Sequence, residues 1–388
     1  DSSHARIVRL SYAQGDVRFA RSAGSDSLTD PNVAWESVSQ NLPIRQGYVL
    51  GTGSGRAAVE FEFGNTAAYV DENTVLEFSD LSLHDGVRST RLALRQGTGA
   101  FIVAPAGGES FIVTAGEVTA RVDEGANFRV DVYDDGVTIG VRKGRVTVAT
   151  STQTTVLEGG QSVTVRSGET ANLQVQALSA RDEFDQWVSD SQASAAAAYR
   201  STTQYLSTPD YSYGFADLYT YGYWFTCPGY PFASCWRPFG VGFHWRPFHR
   251  GRFFHDPRCG FVWISHERWG WLPYHHGGWL FSPVRGWMWS PGLGGNRGMG
   301  VWQPFTGTWM RSGGQIGGVP LHPVDATGRT PLNLMHGVIT PTGVERVAMP
   351  PGAGANHNWR VIKSPPREMI RVEEAVATLP QRVARTVL

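Results

Sequence analysis

An aromatic string occurs twice in this chain, and the second copy aligns with the first without a gap. Residues 245–265 read WRPFHRGRFFHDPRCGFVWIS, and residues 271–291 read WLPYHHGGWLFSPVRGWMWSP. A looser copy, YGYWFTCPGYPFASCWRP, occupies residues 221–238. Each copy has two aromatic runs separated by a Pro/Gly turn, which is typical of a β-hairpin. Repeats of this length usually bury their faces on one another.

The alignment predicts which residues of the two copies are structurally equivalent. The matched pairs are Trp245 with Trp271, Pro247 with Pro273, His249 with His275, Gly251 with Gly277, Pro257 with Pro283, Gly260 with Gly286, and Trp263 with Trp289. We therefore predict that Trp263 and Trp289 lie at equivalent, largely buried strand positions. Gly260 and Gly286 are expected in the turns that precede them.

The region before the aromatic copies has a different pattern. From residue 7 to about residue 175, apolar and polar residues alternate in short runs bounded by glycine, as in FRVDVYDDGVTIGVRKGRVTVAT at residues 128–150. This period of two, with a turn signal about every eight to twelve residues, predicts an all-β domain of about a dozen strands.

Motifs in this first region resemble those of a FecR-type domain over nearly all of the first 170 residues. They are Gly47-x-x-Leu50-x-Thr52-Gly53, Val59-Glu-Phe61-x-x-Gly64-Asn65, Val113-Thr114-x-Gly116-x-Val118, Gly125-x-x-Phe128-x-Val130, Gly144-x-Val146-x-Val148 and Glu158-Gly-Gly160-Gln161. The resemblance implies a β-solenoid or β-roll module outside the cytoplasm, which in some relatives belongs to a transmembrane regulator. The chain departs from the family pattern at Tyr48, where the family usually has Asp.

A helix is predicted between the two β regions. Phe184, Trp187 and Val188 have helical spacing within residues 179–206, and Ser179 is the expected N-cap. The order of this segment, a Tyr-Gly-x-Trp motif and the W-x-P copies resembles an uncharacterised family of secreted bacterial proteins that joins a FecR-type domain to an aromatic repeat region. That resemblance implies no known activity.

These patterns predict a mainly β chain in four parts. They are a FecR-like all-β domain at 1–176, a helix and linker at 177–217, aromatic W-x-P hairpin repeats at 218–310, and a Gly/Pro-rich extended tail at 311–388 with a short helix at 370–379. The tail needs another surface to order it, because its apolar groups are scattered. That surface is either the repeat region of the same chain or another subunit, to which the tail or the N-terminal strand adds a strand.

Composition and cysteine spacing favour an exported protein. The chain begins with Asp1 rather than Met and has no apolar run near the length of a membrane span, so we expect a mature form without such a span. The expected location is extracellular or at the cell surface, with the periplasm as the alternative. Cys227 and Cys235 lie eight residues apart across a turn and are predicted to form a disulfide. Cys259 is left either buried or available to a partner chain.

Charge argues against nucleic acid as a partner. The formal net charge is zero, so the whole molecule has no polyanion-binding signature. Residues 220–310 are locally basic, with eight Arg and only Asp256 and Glu267 as acids. Arginines between aromatic residues could hold phosphates and stack bases, but an exported location argues against that use.

No motif predicts catalysis, a metal or a cofactor. Six of the eleven histidines lie between His244 and His276, but their spacing matches no metal-binding pattern. His275 and His276 are expected to point to opposite faces of a strand. The glycine-rich GTGSGR at residues 51–56 lacks the Lys-Ser/Thr of a phosphate loop and is better interpreted as a β-turn. We therefore expect a protein that is not an enzyme.

The tryptophans of the aromatic region admit three interpretations: the core of the repeats, a self-association interface, or a platform for cell-wall glycan. The candidate interface or binding residues are Trp224, Trp236, Trp245, Trp263, Trp269, Trp271, Trp279, Trp287, Trp289, Trp302, Arg246 and Arg252. We predict an exported structural protein that self-associates into an assembly such as a filament, through these surfaces and an extended terminal segment. The alternative is a module related to FecR-type regulators that senses cell-wall glycan or a surface partner.

Overall fold

The structure is a computed structural model, and it describes residues 6–21, 33–105, 108–169, 173–206, 213–256, 260–293, 302–326, 328–340, 343–345, 347 and 358–363. The chain divides into two compact units. The larger part of the N-terminal unit is His4–Tyr199, and the larger part of the C-terminal unit is Asp217–Leu388.

The N-terminal unit is built from strands. They are β1 (Arg9–Gln14), β2 (Val17–Ala20), β3 (Glu36–Ser37), β4 (Val49–Thr52), β5 (Arg56–Glu60), β6 (Ala67–Val70), β7 (Val75–His84), β8 (Val87–Val103), β9 (Ser110–Ala115), β10 (Val118–Val122), β11 (Ala126–Tyr133), β12 (Gly136–Ala149), β13 (Thr154–Glu158), β14 (Gln161–Arg166) and β15 (Val175–Ala177). A 3₁₀ helix covers Glu62–Gly64. The mainly β fold that the alternating pattern predicts is confirmed.

Two long strands, β8 and β12, connect two ladders of this unit. The first ladder has the order β1-β5-β6-β8-β11-β12-β14-β15. The second has the order β3-β2-β4-β7-β8-β9-β10-β12-β13. All of these pairs are antiparallel except β8 with β9. Each long strand leaves one ladder and enters the other, so the two ladders form one continuous sheet.

Aromatic side chains pack between the ladders. Phe101 in the first ladder lies 6.3 Å from Phe111 in the second, measured between ring centroids. Phe101 also stacks on Phe128, at 5.2 Å. Alternate residues of β9 are buried, as expected for a strand with one face on a core. The period-two pattern of the sequence therefore predicts which side chains face the other ladder.

Helix α1 (Glu183–Thr202) follows the strands and begins later than predicted. Asp182, rather than Ser179, is the N-cap: its carboxylate accepts a hydrogen bond from the Asp185 backbone N–H at 2.9 Å. The Asp185 carboxylate accepts in return from the Asp182 N–H at 3.3 Å. This reciprocal pair satisfies two backbone donors that a helix start otherwise leaves unpaired, so the helix begins at the acidic pair.

Aromatic contacts and arginines hold α1 on the first ladder. Phe184 and Val188 are buried against it, and Trp187 lies 5.5 Å from Tyr69. Arg129 pairs with Asp182 at 2.6 Å and also covers the Phe184 ring, at 5.5 Å. Burial opposes ionisation of Asp182, but the backbone hydrogen bond from Asp185 and the Arg129 guanidinium outweigh it and lower the pKa of Asp182.

The C-terminal unit contains shorter strands. After α2 (Phe215–Tyr221) come β16 (Gly222–Thr226), β17 (Ser234–Pro238), β18 (Gly251–Asp256), β19 (Gly260–Ser265), α3 (Trp271–His275), β20 (Gly278–Ser282), β21 (Gly286–Ser290), β22 (Gly307–Ser312), β23 (Gln315–Pro320), β24 (Val338–Thr340), β25 (Gly343–Glu345) and β26 (Arg360–Val361). A 3₁₀ helix covers Leu332–His336. One sheet has the order β16-β17-β21-β20, another has the order β25-β24-β23-β22-β26, and β18 pairs with β19 alone among the described strands.

The three aromatic hairpins share one cross-strand arrangement. An aromatic pair spans each hairpin: Trp224 with Trp236, Phe253 with Trp263, and Trp279 with Trp289. A glycine lies against the second tryptophan of each pair: a Cβ added to Gly222, Gly251 or Gly277 would lie 2.2, 2.5 or 3.0 Å from an indole atom of Trp236, Trp263 or Trp289. At Gly222 the indole is the nearest obstacle to a side chain, whereas at Gly251 and Gly277 a backbone carbonyl oxygen, that of Ile264 or Ser290, lies closer still, at 2.4 and 2.2 Å.

The second halves of the two copies agree with the alignment, but the first halves do not: residues 271–275 form helix α3, whereas the matched residues 245–249 are turn and coil. Trp263 in β19 and Trp289 in β21 are both buried. Gly260 and Gly286 begin these strands with φ of +82° and +75°, a left-handed conformation that glycine adopts without strain.

The described part of the tail folds onto its own unit. The predicted boundary at residue 310 falls inside β22, whose hairpin with β23 forms the centre of the five-stranded sheet. The Trp279 backbone N–H donates to the Leu321 carbonyl at 2.7 Å, and Asn333 Nδ2 donates to the Trp279 carbonyl at 2.8 Å. The predicted helix at 370–379 lies outside the described residues.

Substitution Gly251→Ala tests the contact between glycine and indole. The new methyl would displace the Trp263 ring or the strand, so we expect the free energy of unfolding to fall by about 1–3 kcal/mol. Urea denaturation followed by tryptophan fluorescence measures the change. Gly314→Ala is the control, because no atom lies within 4 Å of its Cβ position. Equal stability of the two variants would contradict the role assigned to Gly251.

Candidate functional site

The structure assigns most of the candidate tryptophans to the core of the C-terminal unit. Those that are buried are Trp236, Trp263, Trp269, Trp271, Trp279, Trp287, Trp289 and Trp302. Trp224 and Trp245 are half-buried, as are Arg246 and Arg252. Of the three interpretations of the tryptophans, the buried ones therefore fit the core, since a ring without exposed surface cannot meet a ligand.

One half-buried carboxyl group, that of Glu267, lies beside this aromatic core. Tyr274 lies 4.8 Å from Phe248 and 5.3 Å from Trp279, measured between ring centroids. Its hydroxyl donates to Glu267 Oε2 at 2.5 Å, and Trp245 Nε1 donates to Glu267 Oε1 at 2.9 Å. Burial raises the pKa of Glu267, although these two hydrogen bonds oppose the shift. The two donors satisfy the carboxylate, so this cluster stabilises the core.

The two histidines predicted to lie on one strand do not do so. His275 is the last residue of α3, and His276 is its extended C-cap. His275 Nδ1 lies 2.8 Å from the Gln303 carbonyl oxygen, and its ring stacks on Trp302 at 5.1 Å. Within the described ranges, no group of three His, Cys, Asp or Glu side chains is placed to hold a metal ion.

The structure contains the Cys227–Cys235 disulfide that the spacing predicts, with the two sulfur atoms 2.11 Å apart. It closes the loop between β16 and β17, where the Cys227 N–H also donates to the Ala233 carbonyl at 2.9 Å. Both cysteines pack on Leu280 and Met288. Cys259 lies outside the described residues.

A surface of exposed rings and arginines lies on the opposite side of β16 from Trp224. It consists of Tyr223, Phe225, Arg237, Phe239 and Arg285, and is called the arginine-aromatic face below. Tyr223 lies 5.6 Å from Phe225 and 5.6 Å from Phe239. Phe239 is 58% exposed and Tyr223 is 36% exposed. Alternation along the strand explains the contrast with Trp224, because neighbouring side chains point to opposite faces.

The two arginines of this face have no carboxylate partner among the described residues. Arg285 covers the Phe225 ring, with its guanidinium carbon 4.8 Å from the ring centroid. Arg237 Nη2 donates to the Gly242 carbonyl at 3.1 Å, while its buried Nε has no partner in the described part of the chain. Two guanidinium groups beside exposed rings favour an anionic or electron-rich ligand.

An apolar groove continues from the arginine-aromatic face. Its volume is about 270 Å³, and it is lined by Pro228, Tyr230, Leu280, Phe281, Ser282, Met288, His322, Leu332, Asn333, Met335 and His336. Phe225 and Tyr230 pack on the same cluster of Cys227, Cys235, Leu280 and Met288, which connects the groove to the face. Leu332 and Met335 are 55% and 63% exposed. The disulfide therefore holds one wall of an open apolar groove.

Sequence reasoning missed these exposed residues. Tyr223 and Phe239 adjoin the tryptophan copies, so strand alternation around Trp224 could have identified Tyr223. Leu332 and Met335 come from a 3₁₀ helix in the tail, more than 40 residues after β21, and no local pattern links them to the hairpins.

The cavities of the N-terminal unit offer a weaker site. One of about 110 Å³ is lined by Arg6, Glu62 and Arg88, but Arg6 already binds Glu62 and donates to the Ser89 carbonyl at 2.7 Å. A second, of about 410 Å³, lies beside Tyr133 and has only Glu117 and Arg166 as charged lining residues. In the part of the chain that the structure describes, no helix is both long and apolar enough to cross a membrane.

Comparison with known families identifies two regions. Residues 49–147 match the family described as FecR protein, and residues 215–325 match a family described as a family of unknown function, DUF6600. The chain therefore contains a FecR domain followed by a DUF6600 domain, and the FecR resemblance is confirmed for residues 49–147 rather than for nearly all of the first 170. The aromatic repeat detail and the secreted character of the family stay predictions. Curated proteins gave no match.

Two crystal structures from Parabacteroides distasonis, both described as a "putative anti-sigma factor", are similar to part of this chain. Each is 21% identical with a TM-score of 0.28, and they cover 37% and 36% of this chain. The matched parts make up 64% and 61% of those proteins, which is less than two thirds of their length. A TM-score of this size does not establish a shared fold.

Substitution Glu267→Gln tests the half-buried carboxyl group. Because burial raises the pKa of Glu267, folding favours its protonated form, and the cost of ionising it grows as pH rises through that raised pKa. We expect the free energy of unfolding of the variant, relative to the unaltered protein, to increase as pH rises from about 4 to about 7. Urea denaturation at a series of pH values measures it.

The exposed Glu158→Gln is the matched control for exchanging a carboxylate for an amide. A stability difference for Glu267→Gln that stays constant or falls with rising pH would contradict the assignment of Glu267 as a partly desolvated acid.

Proposed function

We propose that this chain is a non-catalytic, exported sensing and binding module of the FecR type, whose C-terminal unit recognises a protein partner. The FecR match over residues 49–147 supports the sensing class. The observation that carries the choice of partner is the arginine-aromatic face with its adjoining groove. Neither family match supports assembly into filaments. We therefore prefer the sensing module over the self-associating structural protein, the other function that the sequence predicts.

The composition of the exposed surface favours a protein over a glycan. A glycan-binding site would need exposed tryptophan faces that can stack on sugar rings. The buried tryptophans offer no such face. The exposed side chains are instead Tyr223, Phe239, Arg285 and Met335, and aromatic residues, Met and Arg are enriched at protein interfaces. A contiguous exposed patch of this kind usually marks an interaction site.

Site-specific cross-linking in the producing cell tests the proposal. Phe239→p-benzoyl-phenylalanine places a photoreactive ring on the face, and we expect one polypeptide of different sequence to be captured there and identified by mass spectrometry. Tyr133→p-benzoyl-phenylalanine is the control, because Tyr133 is a similarly exposed ring in the N-terminal unit. Adding Tyr223→Ala with Arg285→Ala should lower the yield at position 239 about tenfold or more, as expected for residues central to an interface.

Other outcomes contradict the proposal. Adducts formed only between copies of this chain would support self-association instead. Equal capture of the same polypeptides from positions 239 and 133 would indicate non-specific contact. The purified protein could also co-sediment with cell-wall glycan and lose this binding in the Tyr223→Ala and Arg285→Ala variant. That result would show that the arginine-aromatic face binds a glycan rather than a protein.

A further inference from the structure

Resting on the proposed function, we infer that the groove binds one bulky apolar side chain of an extended partner segment, while an acidic residue of the same segment pairs with the arginines of the arginine-aromatic face. The inference thus assigns a chemistry to the partner: a polypeptide that presents a carboxylate close to a large apolar residue.

The size of the groove fits a side chain rather than a whole small molecule. Small-molecule sites usually enclose roughly 300–1,000 Å³ and bury most of the ligand. This groove has about 270 Å³ and is open to solvent, and Pro228, Leu332 and Met335 are exposed residues of its lining. An open apolar slot of that size is filled by one or two residues of a chain that continues past both ends.

The lining is uncharged and suits an apolar side chain. Leu280 and Met288 form a buried apolar wall, and Ser282, His322, Asn333 and His336 supply the polar part of the lining. Among the described residues, no Asp, Glu, Lys or Arg lines the groove. Burial lowers the pKa of His322, and burial with the nearby Arg246 lowers the pKa of His336, so both rings are neutral at neutral pH. Ionised ligand groups therefore gain no charged partner inside the groove.

The charges that can meet a carboxylate lie beside the groove. Ser282 lines it, and its hydroxyl accepts a hydrogen bond from the Arg285 backbone N–H at 3.4 Å, so Arg285 belongs to the turn that borders the groove. A Cβ added to the neighbouring Gly286 would lie 3.7 Å from Arg237 Nη2, which brings the second guanidinium close to this turn. Asp325 accepts hydrogen bonds from the backbone N–H groups of the lining residues His322 and Leu332, at 2.8 and 3.0 Å.

The positive charge of the arginines and the uncharged lining of the groove favour a segment that carries both an acidic and an apolar residue. A guanidinium that already lies on a ring can still donate to a carboxylate, because stacking uses its face and hydrogen bonding uses its edge. A lysine in the partner at the same place would meet two like charges. Charge complementarity therefore distinguishes this occupant from a basic or purely apolar one.

Binding of synthetic probes to the intact protein tests the inference. The probes are blocked fluorescent peptides with one Phe and one Glu separated by roughly one to three glycines, a span of about 7–14 Å when extended. We expect at least one spacing to bind with Kd below about 1 mM by fluorescence anisotropy. Replacing its Phe by Ala, or its Glu by Lys, should weaken binding at least about fivefold each.

Protein variants locate the site. Met335→Glu and Arg285→Glu should each weaken the best probe about tenfold, and the exposure of both residues allows the fold to be retained, which circular dichroism checks. Val156→Glu, an exposed site of the N-terminal unit, is the matched control and should change Kd less than about twofold. Probes that bind equally with Ala or Lys, or none that binds below about 5 mM, would overturn the inference.

The same variants separate this inference from the proposed function. If Met335→Glu leaves cross-linking from position 239 intact while Tyr223→Ala with Arg285→Ala abolishes it, the face binds a partner but the groove does not take part. If position 239 captures no partner polypeptide, the proposed function fails whatever the probes show.

Discussion

The close packing of each aromatic hairpin depends on the fit of an indole ring against a glycine. In each aromatic hairpin, the missing side chain of Gly222, Gly251 or Gly277 makes room for a tryptophan of the opposite strand. A ring seated in this way buries a large apolar area without separating the two strands. Since short hairpins are marginally stable alone, this repeated contact gives each one a core surface to share with its neighbours.

Because the tryptophans are buried on one side of the sheet, strand alternation determines which side chains are exposed on the other side. Strand alternation places Trp224 and Trp236 inward, so Tyr223, Phe225 and Arg237 lie outward. The disulfide then ties the loop between β16 and β17 to Leu280 and Met288, which forms the groove next to these rings. The same pairing that stabilises the core therefore creates a surface of smaller aromatic rings and of arginines that have no carboxylate partner among the described residues.

Local patterns predicted much of this fold, and distant contacts explain the rest. Alternation predicted the strands, and the cysteine spacing predicted the disulfide, because both depend on neighbours in sequence. Ser179 was the wrong N-cap because Asp182 and Asp185 cap each other, and two acids can serve as well as a serine. The groove could not be predicted, since Leu332 and Met335 reach it from the tail by tertiary packing alone.

Hydroxyl-radical footprinting of the native protein tests the central claim, that the tryptophans are core and the smaller rings are surface. Mass spectrometry gives the oxidation rate of each side chain. The account predicts slow oxidation of Trp236, Trp271 and Trp289, with fast oxidation of Phe239 and Met335. Tryptophans that react at the rate of the same residues in the urea-unfolded protein, with Phe239 and Met335 protected, would contradict it.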